Sequence, residues 1–136
     1  MVENVVGKQK TEGERSSDGL KTRTRQFALR VITLYGALPE SGAAQVIGKQ
    51  LLRSGTSVGA HYREGIRSRS NAEYASKMEG ALQELEESVY WMELLSEAQI
   101  VPAGRLVGLH AEADELIAIL VTCVRNAKSH TKNRDR

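Results

Sequence analysis

Apolar residues recur along this chain in steps of three and four, the spacing of one face of an α-helix. The first such stripe is Thr24, Phe27, Val31, Leu34 and Leu38, widened by Ala28 and Tyr35. It predicts a helix from about Leu20 to Leu38, ended by Pro39, because proline disfavours helical backbone at the residue before it. A second stripe runs through Ile47, Leu51, Gly55, Val58, Tyr62 and Ile66, with Ser41 suited to cap its helix. Ser70-Asn71-Ala72-Glu73 has the form of a capping box. It predicts a third helix to about Ala98, with the stripe Met78, Ala81, Leu85, Ser88, Met92 and Leu95, widened by Tyr74, Leu82 and Val89. The fourth begins near Pro102, a residue suited to a first turn, and carries Leu106, Leu109, Ala113, Leu116, Leu120, Val124 and Ala127. Four amphipathic helices on short connections bury their stripes best as an all-α, antiparallel, up-down four-helix bundle. The expected organisation is one bundle domain over residues 20–128, a flexible polar tail at 1–19 and a basic tail at 129–136.

Composition agrees with helices. The chain has 136 residues, few aromatics and only two prolines, both between periodic segments. A single cysteine, Cys123, excludes an intramolecular disulfide and fits a reducing compartment. Met1 to Lys10 has no apolar core of signal-peptide length, and no apolar run approaches the roughly 20 residues that span a bilayer. A cytoplasmic protein without membrane contact is expected.

Charge changes the picture more than composition does. The net charge is only +2, but its sign alternates by segment. Residues 41–70 carry Lys49, Arg53, Arg63, Arg67 and Arg69 against Glu64 alone. Residues 71–98 carry Lys77 against Glu73, Glu79, Glu84, Glu86, Glu87, Glu93 and Glu97. In helical projection Lys49, Arg53, Arg63 and Arg67 form a basic ridge opposite the apolar stripe. These four are the candidate contacts to RNA or DNA. The alternative is that the ridge meets the glutamate face of a neighbouring subunit, so that charge serves assembly. Aromatic residues interleaved with the cations, which would read single strands, are missing.

The segment Leu51–Glu64 is unusual for a helix interior, holding Ser54, Gly55, Thr56, Ser57 and Gly59 together. Each glycine costs about 1 kcal/mol against alanine there. Close approach of a neighbouring helix is the simplest compensation, which makes Ser54, Gly55, Ser57, Gly59 and Ala60 a candidate close-packing motif. Room for a ligand, a phosphate or a partner chain is the other reading. A phosphate-cradling loop is excluded, because the Gly-x-x-x-x-Gly-Lys pattern and its preceding strand are absent. Tyr90, Trp91 and Leu94 lie off the main stripe of the third helix and are candidate oligomer-interface residues.

Catalytic chemistry has little support. Ser57 and His61 are four apart on one helix, but no nucleophile elbow or oxyanion motif accompanies them. No histidine follows a glutamate at the Glu-x-x-His spacing of di-iron bundles, and Cys123 lacks a thiol companion for zinc. No catalytic residue, metal or cofactor is expected, and the chain reads as non-enzymatic.

The string QLLRSGTSVGAHYREG, Gln50 to Gly65, closely resembles the signature of the 23S rRNA intervening-sequence proteins. Val31 to Tyr35 with Leu38-Pro39 resembles that family's first helix and turn. Lys77-Met78, Leu85 to Ser88 and Tyr90 to Met92 resemble the third helix, and Glu112 with Leu116 to Leu120 the fourth. The resemblance covers roughly Phe27 to Lys128 and leaves both tails outside. It implies an antiparallel four-helix bundle assembled as a homopentamer, with self as a partner and no established activity. A related bundle, the accessory protein of diversity-generating retroelements, works with a reverse transcriptase and RNA and is similar in architecture only. One departure stands out: the family typically has Asn where this chain has His61.

Overall fold

The computed structural model describes residues 12–40 and 42–134. Four helices and no strand occur among them: α1 (Glu12–Gly36), α2 (Gly42–Ile66), α3 (Asn71–Glu97) and α4 (Ala103–Arg134). Residues 1–11, the proposed cap Ser41 and residues 135–136 lie outside the described residues.

Two boundaries differ from expectation. α1 starts at Glu12, inside the stretch read as an irregular tail, and α4 continues through most of the stretch 129–136 to Arg134. Neither extension has apolar periodicity to reveal it. Adding a residue to an existing helix costs far less than starting one, and residues 128–134 contain neither glycine nor proline.

The caps are local chemistry. Ser70 Oγ accepts a hydrogen bond from the Glu73 backbone N–H at 3.0 Å. The Glu73 carboxylate reaches back one residue further than a capping box requires, accepting from the Arg69 N–H at 3.1 Å. α3 closes differently. Ile100 N–H donates to the Leu95 carbonyl at 2.9 Å and Gln99 N–H to that of Ser96 at 3.0 Å, with Gln99 at φ 61°. This is a Schellman closure with glutamine in the left-handed position that glycine usually takes.

All four stripes converge on one core. Phe27, Val31, Leu51, Val58, Tyr62, Met78, Leu85, Met92, Leu95, Leu116 and Leu120 are almost wholly buried. The α2 stripe fades at its end, where Ile66 is exposed. Contacts run in opposite numerical order on sequence neighbours. On α2, positions 48, 55 and 59 face Leu38 just beyond α1, then Val31 and Thr24 of α1 in turn. Gly65, His61 and Ser54 of α2 meet Met78, Gly80 and Ser88 of α3. Glu79 and Glu93 of α3 meet Lys128 and His110 of α4. Of the helix pairs that touch among the described residues, α1 and α4 touch least.

Candidate functional site

The small residues of Leu51–Glu64 face three directions. Gly55 and Gly59 are buried against α1. A methyl group at Gly55 would come within 2.8 Å of Val31 Cγ2, and one at Gly59 within 3.2 Å of Thr24 Oγ1. Ser54 is fully buried against α3, its hydroxyl 2.8 Å from that of Ser88. Ser57 and Ala60 point away from both seams, Ser57 half-buried and Ala60 exposed. Ser57 Oγ donates to the Arg53 carbonyl at 2.7 Å, which commits its hydrogen to the backbone.

The basic ridge divides in the same way. Arg53 leans over α3, donating to the Glu87 carboxylate and lying 3.6 Å from Glu84. Trp91 Nε1 donates to the same Glu87 oxygen at 3.3 Å. Lys49, Arg63 and Arg67 are exposed, and among the described residues no carboxylate pairs with them. Glu64 pairs instead with Lys77 of α3 at 2.9 Å. That ammonium, chiefly through the hydrogen bond and then through its charge, holds the Glu64 carboxyl below the usual carboxylate range.

His61 sits in the seam between α2 and α3. Its Nε2 lies 3.7 Å from a Glu84 oxygen, and its ring covers Gly80, where a methyl group would come within 2.9 Å of Nδ1. His61 Nδ1 and Glu84 Oε1 are buried without a hydrogen-bond partner. The imidazole therefore rests on a glycine of the facing helix.

Tyr90 is half exposed, and its ring centroid is 4.9 Å from that of Trp91 at a tilt of 59°. Trp91 and Leu94 are half-buried. At one end of the molecule, burial first and then a hydrogen bond with Cys123 raise the Tyr74 phenol above its ordinary range. Among the described residues no group of three or more His, Cys, Asp or Glu side chains is placed to hold a metal ion. No helix there is long and apolar enough to cross a membrane.

Sequence reasoning missed the join between α1 and α4. Arg23 donates to Glu112 through Nε at 2.9 Å and Nη2 at 2.8 Å, and to Glu115 at 2.8 Å. These bonds raise the guanidinium pKa and keep it charged. Further along, the two helices part over a groove lined by Leu29, Arg30, Thr33, Leu34, Arg105 and Leu109. Gly80 was missed too. Nothing along α3 itself distinguishes it, because its contact lies on the facing helix.

The comparisons with known proteins bear on this geometry. The model of the 23S rRNA-intervening sequence protein family matches residues 20–122. The chain matches no curated protein. A crystal structure of a protein of unknown function from the S23 ribosomal protein family of Bacteroides thetaiotaomicron is similar, with 33% identity and a TM-score of 0.72. The alignment covers 76% of this chain and 96% of that one. Both the family match and this likeness span the four-helix core, and on that ground the chain belongs to the 23S rRNA-intervening sequence protein family.

Proposed function

We propose that this protein is a non-enzymatic, homo-oligomeric helical bundle that binds RNA or DNA through basic surface patches. Its four helices form an antiparallel up-down bundle, and copies of the bundle associate as a pentamer in the cytoplasm. One observation carries the nucleic-acid reading. Lys49, Arg63 and Arg67 stand exposed without a partnering carboxylate among the described residues, whereas Arg53 is neutralised by Glu84 and Glu87. Unpaired surface cations are the footprint of phosphate contacts. The ribosomal RNA in the family's name is consistent with such a partner. The helix order supports the antiparallel reading, since numbering falls on each helix as it rises on its sequence neighbour. The commitment of the Ser57 hydroxyl to a carbonyl speaks against its use as a nucleophile.

The test is fluorescence anisotropy with labelled RNA and DNA across a salt series, beside light scattering for oligomer size. Binding at low salt that weakens steeply as salt rises supports the reading, and no binding at low salt overturns it. A second reading rests on Tyr90, half exposed beside Trp91. It makes the protein an interaction or scaffold module whose charged ridges serve subunit assembly. Charge reversal at Arg63 would then break the oligomer.

A further inference from the structure

The fold sorts charge by layer. Between Gly19 and Arg63 the chain carries Lys21, Arg23, Arg25, Arg30, Lys49, Arg53 and Arg63, and its one acid, Glu40, lies in the turn between α1 and α2. Ten of the chain's 17 acids lie on α3 and α4, while Glu12, Glu14 and Asp18 fall at the start of α1 and Glu64 near the end of α2. The two halves differ again in what their charges already touch. On α3 and α4, Glu84 and Glu87 are taken by Arg53, Glu79 by Lys128, and Glu112 and Glu115 by Arg23. Glu93 and Asp114 face His110. On α1 and α2, Lys21, Arg25, Lys49 and Arg63, with Arg67 just beyond the helix, are exposed and have no ion pair among the described residues.

These five cations share one outer surface. Val31 and Thr24 turn toward α2, and Gly55 and Gly59 toward α1. At 100° per residue, Lys21 and Arg25 then lie on the outward flank of α1 beside that seam. Lys49, Arg63 and Arg67 lie on the matching flank of α2. Gly59 meets Thr24, so Arg63, one turn on, stands across the seam from Lys21. Ala28, Thr56 and Ala60 between them are small, and the exposed Ile32 stands on the same flank of α1 as Lys21 and Arg25. From Lys49 to Arg67 the row extends about 27 Å at 1.5 Å per residue, the length of about eight base pairs of duplex. No aromatic ring is available on it for stacking: Phe27 and Tyr62 are buried in the core, Tyr35 is half-buried and bonded to Gln45 at 3.1 Å, and Tyr90 and Trp91 belong to α3.

We infer that the outer α1–α2 surface, with Lys21, Arg25, Lys49, Arg63 and Arg67, docks the sugar–phosphate backbone of a nucleic-acid duplex without reading its bases. The inference rests on the nucleic-acid reading above and specifies its surface and its substrate class. A second copy of the chain is the less suitable occupant, because half of the ten acids on its α3 and α4, Glu79, Glu84, Glu87, Glu112 and Glu115, are already paired with Lys or Arg within their own subunit. Phosphates need no such release.

The test uses the full chain, a labelled 20-base-pair duplex of arbitrary sequence, the same duplex with its sequence scrambled, and one of its strands alone. Two double charge reversals are compared with wild type: Lys21→Glu with Arg63→Glu on the proposed surface, and Arg105→Glu with Arg125→Glu on α4 as a control of equal charge change. Circular dichroism checks that both remain helical. At about 50 mM salt, the surface variant should lose affinity about tenfold or more, and its log–log salt slope should fall by about 2. The control should shift much less, the scrambled duplex should bind as the original does, and the single strand should bind more weakly. Binding that survives the surface reversal but is lost in the control overturns this surface while leaving nucleic-acid binding standing. Tighter binding of the single strand, or a dependence on sequence, overturns the backbone-only mode. A surface variant that changes oligomer size with duplex affinity intact makes the surface a subunit interface instead. No binding by wild type to any of the probes overturns the function proposed above together with this inference.

Discussion

The hydroxyls of Ser54 and Ser88 lie 2.8 Å apart in the fully buried seam between α2 and α3. Ser88 spends its hydrogen on the Glu84 carbonyl at 2.8 Å, so Ser54 donates and Ser88 accepts. Ser54→Ala removes the donor yet leaves Ser88 bonded to its own helix. The expected loss is about 1 kcal/mol, measured by urea denaturation. Ser88→Ala leaves Ser54 only the Leu51 carbonyl at 3.3 Å and should cost at least as much.

Gly55 and Gly59 make opposite predictions. An alanine methyl at Gly55 meets the branched Val31 side chain at 2.8 Å, which is stiff about its first torsion. Overpacking there should cost about 1–3 kcal/mol. At Gly59 the nearest atom is 3.2 Å away, and alanine's helix propensity is worth about 1 kcal/mol. Gly59→Ala should therefore be close to neutral. Thermal midpoints of the two variants, with Val31→Ala as a rescue of Gly55→Ala, check this.

His61 and Gly80 should behave as a pair. Gly80→Ala drives a methyl into the imidazole and should destabilise by about 1–3 kcal/mol. In a His61→Asn background the shorter side chain leaves space and the same substitution should cost less. A double-mutant cycle gives the coupling directly.

Glu64 sets a pH effect of known sign. Its folded pKa is depressed by Lys77, so the stabilisation is present above the unfolded carboxylate value of about 4.3 and is lost as pH falls through the lower folded value. Lys77→Met should raise the Glu64 midpoint in an NMR titration toward that ordinary value. An unchanged midpoint would show that the pair is not formed in solution.

Gln99→Gly should stabilise the fold. Gln99 holds φ 61°, and glycine occupies that region without the strain a side chain brings. A gain of about 0.5–1 kcal/mol in chemical denaturation is expected.

The helices and their buried faces were legible because each stripe is written along one element. Phe27, Leu51, Leu85 and Leu116 were all assigned to the interior from spacing alone, and all are buried. The Ser70 cap was legible for the same local reason. What stayed hidden depends on register between helices. Arg53 projects near Glu64 on its own helix, but bonds Glu87 across the seam. Gly80 carries no local signal, and its meaning comes from His61 on the helix opposite. The extension of α1 back to Glu12 has no apolar pattern at all. Gln99 lacks the glycine that would have marked its turn.

The sparse meeting of α1 with α4 also bears on how quickly this chain reaches its native state. Every extensive seam joins helices adjacent in sequence, so nearly all native contacts close short loops. The contacts of Arg23 with Glu112 and Glu115 are among the exceptions, bridging 89 and 92 positions of chain. Low contact order of this kind places helical proteins in the microsecond-to-millisecond range of folding times. Successive hairpins can assemble α1 to α4 in order of synthesis, with the guanidinium staple the longest loop left to close.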